Sequence, residues 1–444
     1  MDIIEEAIEL ALREGAEFID VRVLRGKETH IYVENGETKI GGALICDANL
    51  RVFMKGCWGV CSGNDLTLLN GMVESAVKMT RAKKVDRFSL EEYPFSQDKI
   101  CIDAKIRPDC VDSDEKVEYI RFLEDQMKIG EVKKTSIFYR DSAGMKSVYN
   151  SKGAAIEEEV LHTSITATAT AKRGERIERA SARKYICGGY EHFKDVKDLP
   201  LLAARRALNM LTAHQIEKGK YTAIYDPLLT GTLVHEILGH CAEADLILQG
   251  NSVLKDRLGT AVAPEGISVY DDPSVPLAPV NYQYDDEGVA ARKKPIIQDG
   301  ILSTYLHSLD TASQMSAQPG NARCEDYSFA PLVRMSNTYV LGSEIFEENE
   351  GLILQGTLGG EVEPGTGRFF IRPVLGELIE DGNVTKRFKD MIVVGDILET
   401  LQSIESVGSD FYIDSGTCEK KGQTIFIGSG GASLKVSNAV VIGG

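Results

Sequence analysis

Residues 226–245 read DPLLTGTLVHEILGHCAEAD, and the way this stretch folds decides what the rest of the chain has to bring to it. Asp226 offers an N-cap acceptor, and Pro227 stands at the first helical position, where its missing N–H costs nothing. Leu228, Leu229, Thr232, Leu233, Val234, Ile237, Leu238, Ala242 and Leu246 supply several turns of mostly apolar residues. His235, Glu236 and His240 therefore emerge from an otherwise buried helix. Burying such groups unpaired costs several kcal/mol, on the order of 2–7 for a polar group, so they must be hydrogen-bonded, paired or metallated.

The spacing sets a geometric problem. Histidines five apart diverge by about 140° on an ideal α-helix, at about 100° per residue. A π-turn, winding about 80° per residue, brings them to within roughly 50°. Gly239 is a plausible place for the distortion, because glycine tolerates backbone that other residues resist. Without it, Glu236, His240 and Glu243 form the better face at i, i+4 and i+7. The bland alternative is a pair of hydrogen-bonded core histidines. The chemical one has Glu236 taking a proton from water activated by a metal, and it needs a third ligand from elsewhere.

The chain has 444 residues, enough for two domains, with 43% hydrophobic and 26% charged residues, the balance of a globular protein. Fifty Lys plus Arg against 67 Asp plus Glu give a net charge of −17, which argues against nucleic acid as partner. The run Arg292-Lys293-Lys294 is too short to make a phosphate groove. No stretch approaches the roughly 20 apolar residues of a membrane span, and the acidic N-terminus lacks a secretory pattern, so a cytoplasmic location is the expectation. Nine scattered cysteines predict reduced thiols, most of them small buried hydrophobes.

Along the chain, helical spacing at Ile3–Arg13 and Leu66–Met79 brackets short β-like runs at Ile19–Leu24, His30–Val33, Ala43–Cys46 and Leu50–Met54. The same order recurs, with helices near Lys116–Met127 and Leu201–His214 around strands at Thr135–Tyr139, Met145–Asn150 and Ser164–Ala171. The fold expectation is α+β: an N-terminal α/β layered domain over 1–217, carrying a weak internal duplication, then a β-rich domain over 218–444 that holds the metal-site helix. Lys218-Gly219-Lys220 marks the boundary.

In the second half, Asp271, Asp272, Asp285, Asp286 and Glu287 could bind a metal, but their spacing is not an EF-hand and reads as solvated turns. Asp299-Gly300 predicts a hairpin turn. Gly359-Gly360 and Gly365-Thr366-Gly367 read as sheet corners or close approaches, not a phosphate loop. His307 and Arg323 could each hold a substrate carboxylate or carbonyl, or serve only as ordinary hydrogen-bonding residues. Cys418 is the candidate third ligand, since a thiolate suits zinc and two histidines, one cysteine and an open position make a catalytic set. A buried free cysteine is the plainer reading.

His235-Glu236-Ile237-Leu238-Gly239-His240, continued by Cys241-Ala242-Glu243-Ala244-Asp245, resembles the H-E-x-x-x-H signature of the TldD/PmbA metallopeptidase family, TldD branch. Asp285-Asp286-Glu287-Gly288, Asn321-Ala322-Arg323, Arg334-Met335-Ser336-Asn337-Thr338 and Asp410-Phe411 through Gly416-Thr417-Cys418 also resemble family segments. The resemblance runs over nearly the whole chain and is most specific from about 219 to 444. It implies that His235, His240 and Cys418 bind Zn2+ and that Glu236 is the catalytic carboxylate. It further implies metal-assisted amide hydrolysis, a peptide substrate that is short or unfolded, and a homodimer or a heterodimer with the non-metal branch. Direct nucleic-acid binding is not expected. The alternatives are a noncatalytic peptide-binding or assembly subunit with a structural metal site, a hydrolase of another small substrate, and a Cys418–His240 thiol protease. The last leaves His235 and Glu236 without a reason.

Overall fold

The computed structural model describes residues 2–82, 88–344 and 350–443. Helix α1 (Asp2–Arg13) leads into β1 (Phe18–Glu34), β2 (Glu37–Met54) and β3 (Cys57–Gly63), followed by α2 (Leu69–Ala82) and the short β4 (Gln97–Ile100). Helix α3 (Ser113–Asp125) leads into β5 (Val132–Asn150), β6 (Ala155–Arg173) and β7 (Arg176–Cys187), and α4 (Leu199–Met210) follows. All seven strands form one sheet in the order β3-β2-β1-β5-β6-β4, with β7 also on β6. The two meanders meet back to back where β1 pairs antiparallel with β5, Asp20 opposite Asn150.

The short runs read from the sequence are pieces of longer strands. Between Leu24 and His30 the apolar alternation of β1 is interrupted by Arg25, Lys27 and Glu28, because here neither face is fully covered. Pairing with β2 on one side and β5 on the other carries the strand through. Strand β7 shows no apolar alternation until its end, because before Tyr185, Ile186 and Cys187 its buried residues are Ala180 and Ala182, which carry no β-propensity. Apolar residues of the sheet and its helices form two cores, one under α1 and α2 around Val21, Leu50 and Val73, the other under α3 and α4 around Ile31, Tyr139 and Ala203.

From Gly219 onward the chain builds a nine-stranded and a six-stranded sheet around one large core. Strand Gly219–Tyr225 lies inside the nine-stranded sheet and delivers the chain to α5 (Pro227–Val234). Asp226 caps that helix as its sequence predicts, accepting from Leu229 N at 2.8 Å. Gly231 is what seats it: a Cβ there would lie 2.4 Å from the backbone N of Gly430, so helix and strand Gln423–Gly431 meet backbone to backbone. That strand pairs antiparallel with Tyr412–Lys420, Cys418 opposite Ile425, and so holds Cys418 beside the helix. The Asp299-Gly300 turn forms as expected, with φ of 51° and 77°.

The acidic turns are not solvated. Asp271, Asp272, Asp285 and Glu287 are buried, and they satisfy backbone donors of loops that lack regular partners. Asp271 accepts from Ser336 N, Asp285 from the N–H groups of Glu287, Val289 and Ala322, and Glu287 from Leu309 N. Glu287 also meets Arg51 of β2 at 3.0 Å, an ion pair buried between the first sheet and the second half of the chain. Composition could not reveal this, because burial of a polar turn depends on what packs over it. Cysteine burial is also more mixed than expected: Cys57, Cys187, Cys241 and Cys418 are buried, while Cys46, Cys101 and Cys110 are exposed.

Candidate metal centre

After Val234 the helix widens, and His235–Gly239 is a π-turn. Gly239 lies within this turn, where the distortion was expected, and its φ of −53° and ψ of −60° are right-handed values open to any residue. Its role is steric: a Cβ would meet the side chain of Met335 at 3.0 Å. The widened turn brings the two imidazoles to a centroid separation of 5.0 Å, and Cys418 Sγ lies 3.2 Å from His240 Nε2. One donor atom from each of His235, His240 and Cys418 falls within 4.8 Å of the others, the only such group of three or more His, Cys, Asp or Glu donors among the described residues. Cys241, between the histidine and the acid, points into the core and takes no part.

Glu243 is not a member of the group. It is fully buried and accepts from His240 Nδ1 at 3.1 Å, while Lys420 Nζ stands 3.2 Å from it. Cys418 and Lys420 lie on one face of their strand and meet His240 and Glu243 on one face of the turn, two parallel contacts that fix strand against helix. Lys420 also pairs with Asp245 at 2.7 Å. Fully buried Arg334 donates to the carbonyl oxygens of Cys418 and Gln423, fastening the backbone of the hairpin. The sequence signal for this support was Cys418-x-Lys420 facing His240-x-x-Glu243, a two-residue strand repeat against a three-residue helix repeat.

Electrostatics follow from this packing. Burial raises the cost of a thiolate at Cys418, but the positive potential of His235 and His240 outweighs it and draws the thiol down to about 4. Burial likewise opposes a charge on His240, and Glu243 with Cys418 overcomes that and holds the imidazole well above its usual value. Glu243 is kept below the ordinary carboxylate range despite burial, by Lys420 and His240. The centre is thus built for an anionic sulfur beside nitrogen donors. His235 Nδ1, buried, has no hydrogen-bond partner among the described residues, so part of its polar capacity is unspent. Donors bonded at about 2.0–2.3 Å to one tetrahedral ion would stand about 3.3–3.8 Å apart, a spacing this group needs little adjustment to reach.

Glu236 is half-buried and has neither a hydrogen bond nor an ion pair among the described residues. Its Cγ lies 3.2 Å from where a Cβ on Gly360 would be, so the absent side chain of Gly360 makes room for it. The close-approach reading of that glycine thus has a definite object.

His307 and Arg323 are not brought to the centre. His307 is buried beside Thr311 Oγ1, 3.3 Å away, and burial first, then the charge of Lys294, pushes it down to about 4. Arg323 donates to the carbonyls of Met335 (2.6 Å) and Phe426 (2.8 Å). It lines a cavity of about 690 Å3 between the first sheet and the second half of the chain, along with Gly26, Arg140, Tyr185 and Thr417. Thr417 faces that cavity while Cys418, next along the strand, faces the helix, so cavity and donors lie on opposite sides of one strand.

In a strand-rich α+β fold, two imidazoles and a buried thiol converging on a π-turn make a candidate metal site. Comparison with known proteins makes it specific. Profiles described as the PmbA/TldA metallopeptidase C-terminal domain, central domain and domain 1 match residues 218–443, 106–211 and 19–80. A metalloprotease of Methanocaldococcus jannaschii is 36% identical across 97% of this chain and 98% of its own length. The zinc metalloprotease TldD homolog of Saccharolobus solfataricus is 28% identical, with 97% of each chain covered. In fold, the chain resembles a Thermotoga maritima protein named for DNA gyrase modulation, at a TM-score of 0.82 and 20% identity, with 99% of each chain covered. The chain belongs to the PmbA/TldD metallopeptidase family.

Because Glu243 orients His240 without joining the donor group, Glu243→Gln is expected to weaken metal affinity by about 10–100-fold while the fold stays intact. Competition titration against a metallochromic chelator measures this directly. Unchanged affinity would remove Glu243 from the support of the site.

Proposed function

We propose that this chain is a zinc-dependent peptidase of the TldD branch, hydrolysing amide bonds in short or unfolded peptides, with His235, His240 and Cys418 as metal ligands and Glu236 as general base. The observation that carries the reading is the meeting of two imidazoles and a low-pKa thiol from positions 178 residues apart in the chain. Such a nitrogen and sulfur set suits zinc and leaves a position for water and substrate. When bound, zinc supplies Lewis acidity, polarising a carbonyl and acidifying water.

The chain's own residues do the rest. Glu236, unpaired and reachable from solvent, takes the proton of the attacking water and passes it to the leaving amine. Glu243 holds the ring of His240 in one orientation through Nδ1, leaving Nε2 toward Cys418. Strand Gly360–Glu363, which packs against the π-turn, ends the nine-stranded sheet and among the described residues pairs only with Arg368–Ile371. Its free edge beside Glu236 offers backbone groups to an extended peptide, and recognition through backbone depends little on side-chain identity. A folded substrate cannot present a free strand there.

The exposed free thiols of Cys46, Cys101 and Cys110 fit a reducing cytoplasm, and no helix among the described residues is long and apolar enough to cross a membrane. The family resemblance adds a dimer, of like subunits or with a family partner.

An unfolded polypeptide and its folded counterpart of the same composition, incubated with the zinc-loaded chain, test the reading. Cleavage of the unfolded chain alone, abolished by chelator and restored by zinc, is the expected result. Equal cleavage of both substrates, or cleavage indifferent to chelator, contradicts it.

A further inference from the structure

The cavity of about 690 Å3 between the first sheet and the second half of the chain stands apart from the metal donors, because Thr417 faces it while Cys418 faces the helix. Its floor is the first sheet. Gly26 of β1 lies opposite Gly144 of β5, and a Cβ on either would strike the backbone of the facing strand, so neither position carries a side chain and a hollow is left between rows of larger residues. Two rows bound it on that face. One runs from Asp47 on β2 through Leu24 and Lys146 to Glu158 on β6; the other runs from Glu28 on β1 through Ser142 to His162 on β6. Asp47 and His162 stand at opposite corners, about 14 Å apart across the strands and about 13 Å apart along them, or roughly 19 Å on the diagonal.

The two corners differ in charge. Around the cavity Lys146 is paired with Glu158 at 3.0 Å, Arg140 with Glu28, and Glu159 with Arg107. Arg323 stands at the His162 corner: it donates to the carbonyl of Phe426, whose ring stacks at 4.2 Å on Tyr185, itself 5.2 Å from His162. It meets no carboxylate among the described residues, and the two N–H groups that it gives to backbone leave others to offer. Burial first, then the charges of Arg140, Lys146 and Arg323, pushes His162 down to about 4, so a neutral imidazole stands beside this guanidinium. At the far corner Asp47 lies near Asp326 of the second half, and neither makes an ion pair among the described residues. Burial, then the charge of Asp326, pushes the Asp47 carboxyl up. Two carboxylates held together call for a cation between them.

We propose that this cavity is a second ligand site, which takes a short peptide with both ends free, its C-terminal carboxylate on Arg323 beside His162 and its terminal ammonium between Asp47 and Asp326. A carboxylate matches the planar fork of a guanidinium, and the neutral imidazole adds a donor without adding charge. The ammonium supplies the cation that the two aspartates lack. With a side chain reaching in from each corner, the gap suits an extended chain of about three or four residues, at about 3.3–3.6 Å each. The middle of such a peptide lies over the glycine pair, where the sheet leaves room for it.

This inference does not rest on the peptidase reading, and its test needs no activity assay. Calorimetric titration of the full chain with tetra-alanine is expected to show binding both in the zinc-loaded state and in chelator, where no metal can hold or cleave the peptide. In chelator the C-terminal amide and the N-acetyl derivative are each expected to bind at least tenfold more weakly than the free peptide. Arg323→Gln is expected to weaken the free peptide at least tenfold and to leave the amide where it was. Asp47→Asn combined with Asp326→Asn, both on partly exposed positions, is expected to weaken the free peptide by a similar factor and to leave the N-acetyl derivative where it was. Binding that vanishes in chelator would place the peptide at the metal centre and overturn the proposal. Equal affinity for the three peptides, or no binding of any, overturns it as well.

Discussion

Replacing Glu236 by glutamine is expected to slow peptide hydrolysis by about 10²–10⁴-fold while zinc content and thermal stability remain those of the wild type. The change is nearly isosteric, and because Glu236 has no partner among the described residues, it strands no donor elsewhere. What disappears is the ability to take a proton from water, so the loss falls on kcat and leaves KM close to its original value. Unchanged turnover with zinc retained would remove the base assignment. A fall in zinc content would instead make Glu236 part of the metal's own support. A wild-type chain that binds zinc and cleaves no peptide would favour a noncatalytic subunit.

Cys418→Ser carries the second large effect. Serine keeps the size of the side chain but not its acidity, and the low thiol pKa built by His235 and His240 has no counterpart in an alkoxide. Zinc affinity is expected to fall by more than the about 10–100-fold that loss of an outer partner costs. A folded state that binds metal tightly gains about 4 kcal/mol of stability at free metal a thousandfold above Kd. Chelator is therefore expected to lower the Tm of the wild type and to leave that of Cys418→Ser where it already was. A variant with wild-type zinc content and the same chelator response would show that the sulfur is not a ligand.

The parts of the fold that were legible in the sequence are those whose signals are local. The Asp226-Pro227 cap marks the start of a helix, and the five-residue histidine spacing left a widened turn and a regular helix both open; the helix widens over His235–Gly239. Gly239 does fall in the widened turn, and the packing adds what the sequence could not show, that the Met335 side chain lies close over it. Long-range features were less readable. The interior of β1 looks broken where charges alternate with small residues, and only pairing on both sides makes it a strand. The aspartates at 271, 272 and 285 carry turn signals that a solvated loop would also carry, and only the packed structure reveals that they are buried. Glu243 fitted a helical ligand face on paper, but the widened turn and Lys420 convert it into the residue that orients His240.

X-ray absorption at the zinc edge of the metal-loaded chain addresses the central claim most directly. One sulfur at about 2.3 Å and two nitrogens at about 2.0–2.1 Å are expected, with the sulfur shell absent from Cys418→Ser. A zinc shell of nitrogen and oxygen alone in the wild type, or a sulfur shell that survives the substitution, would contradict it.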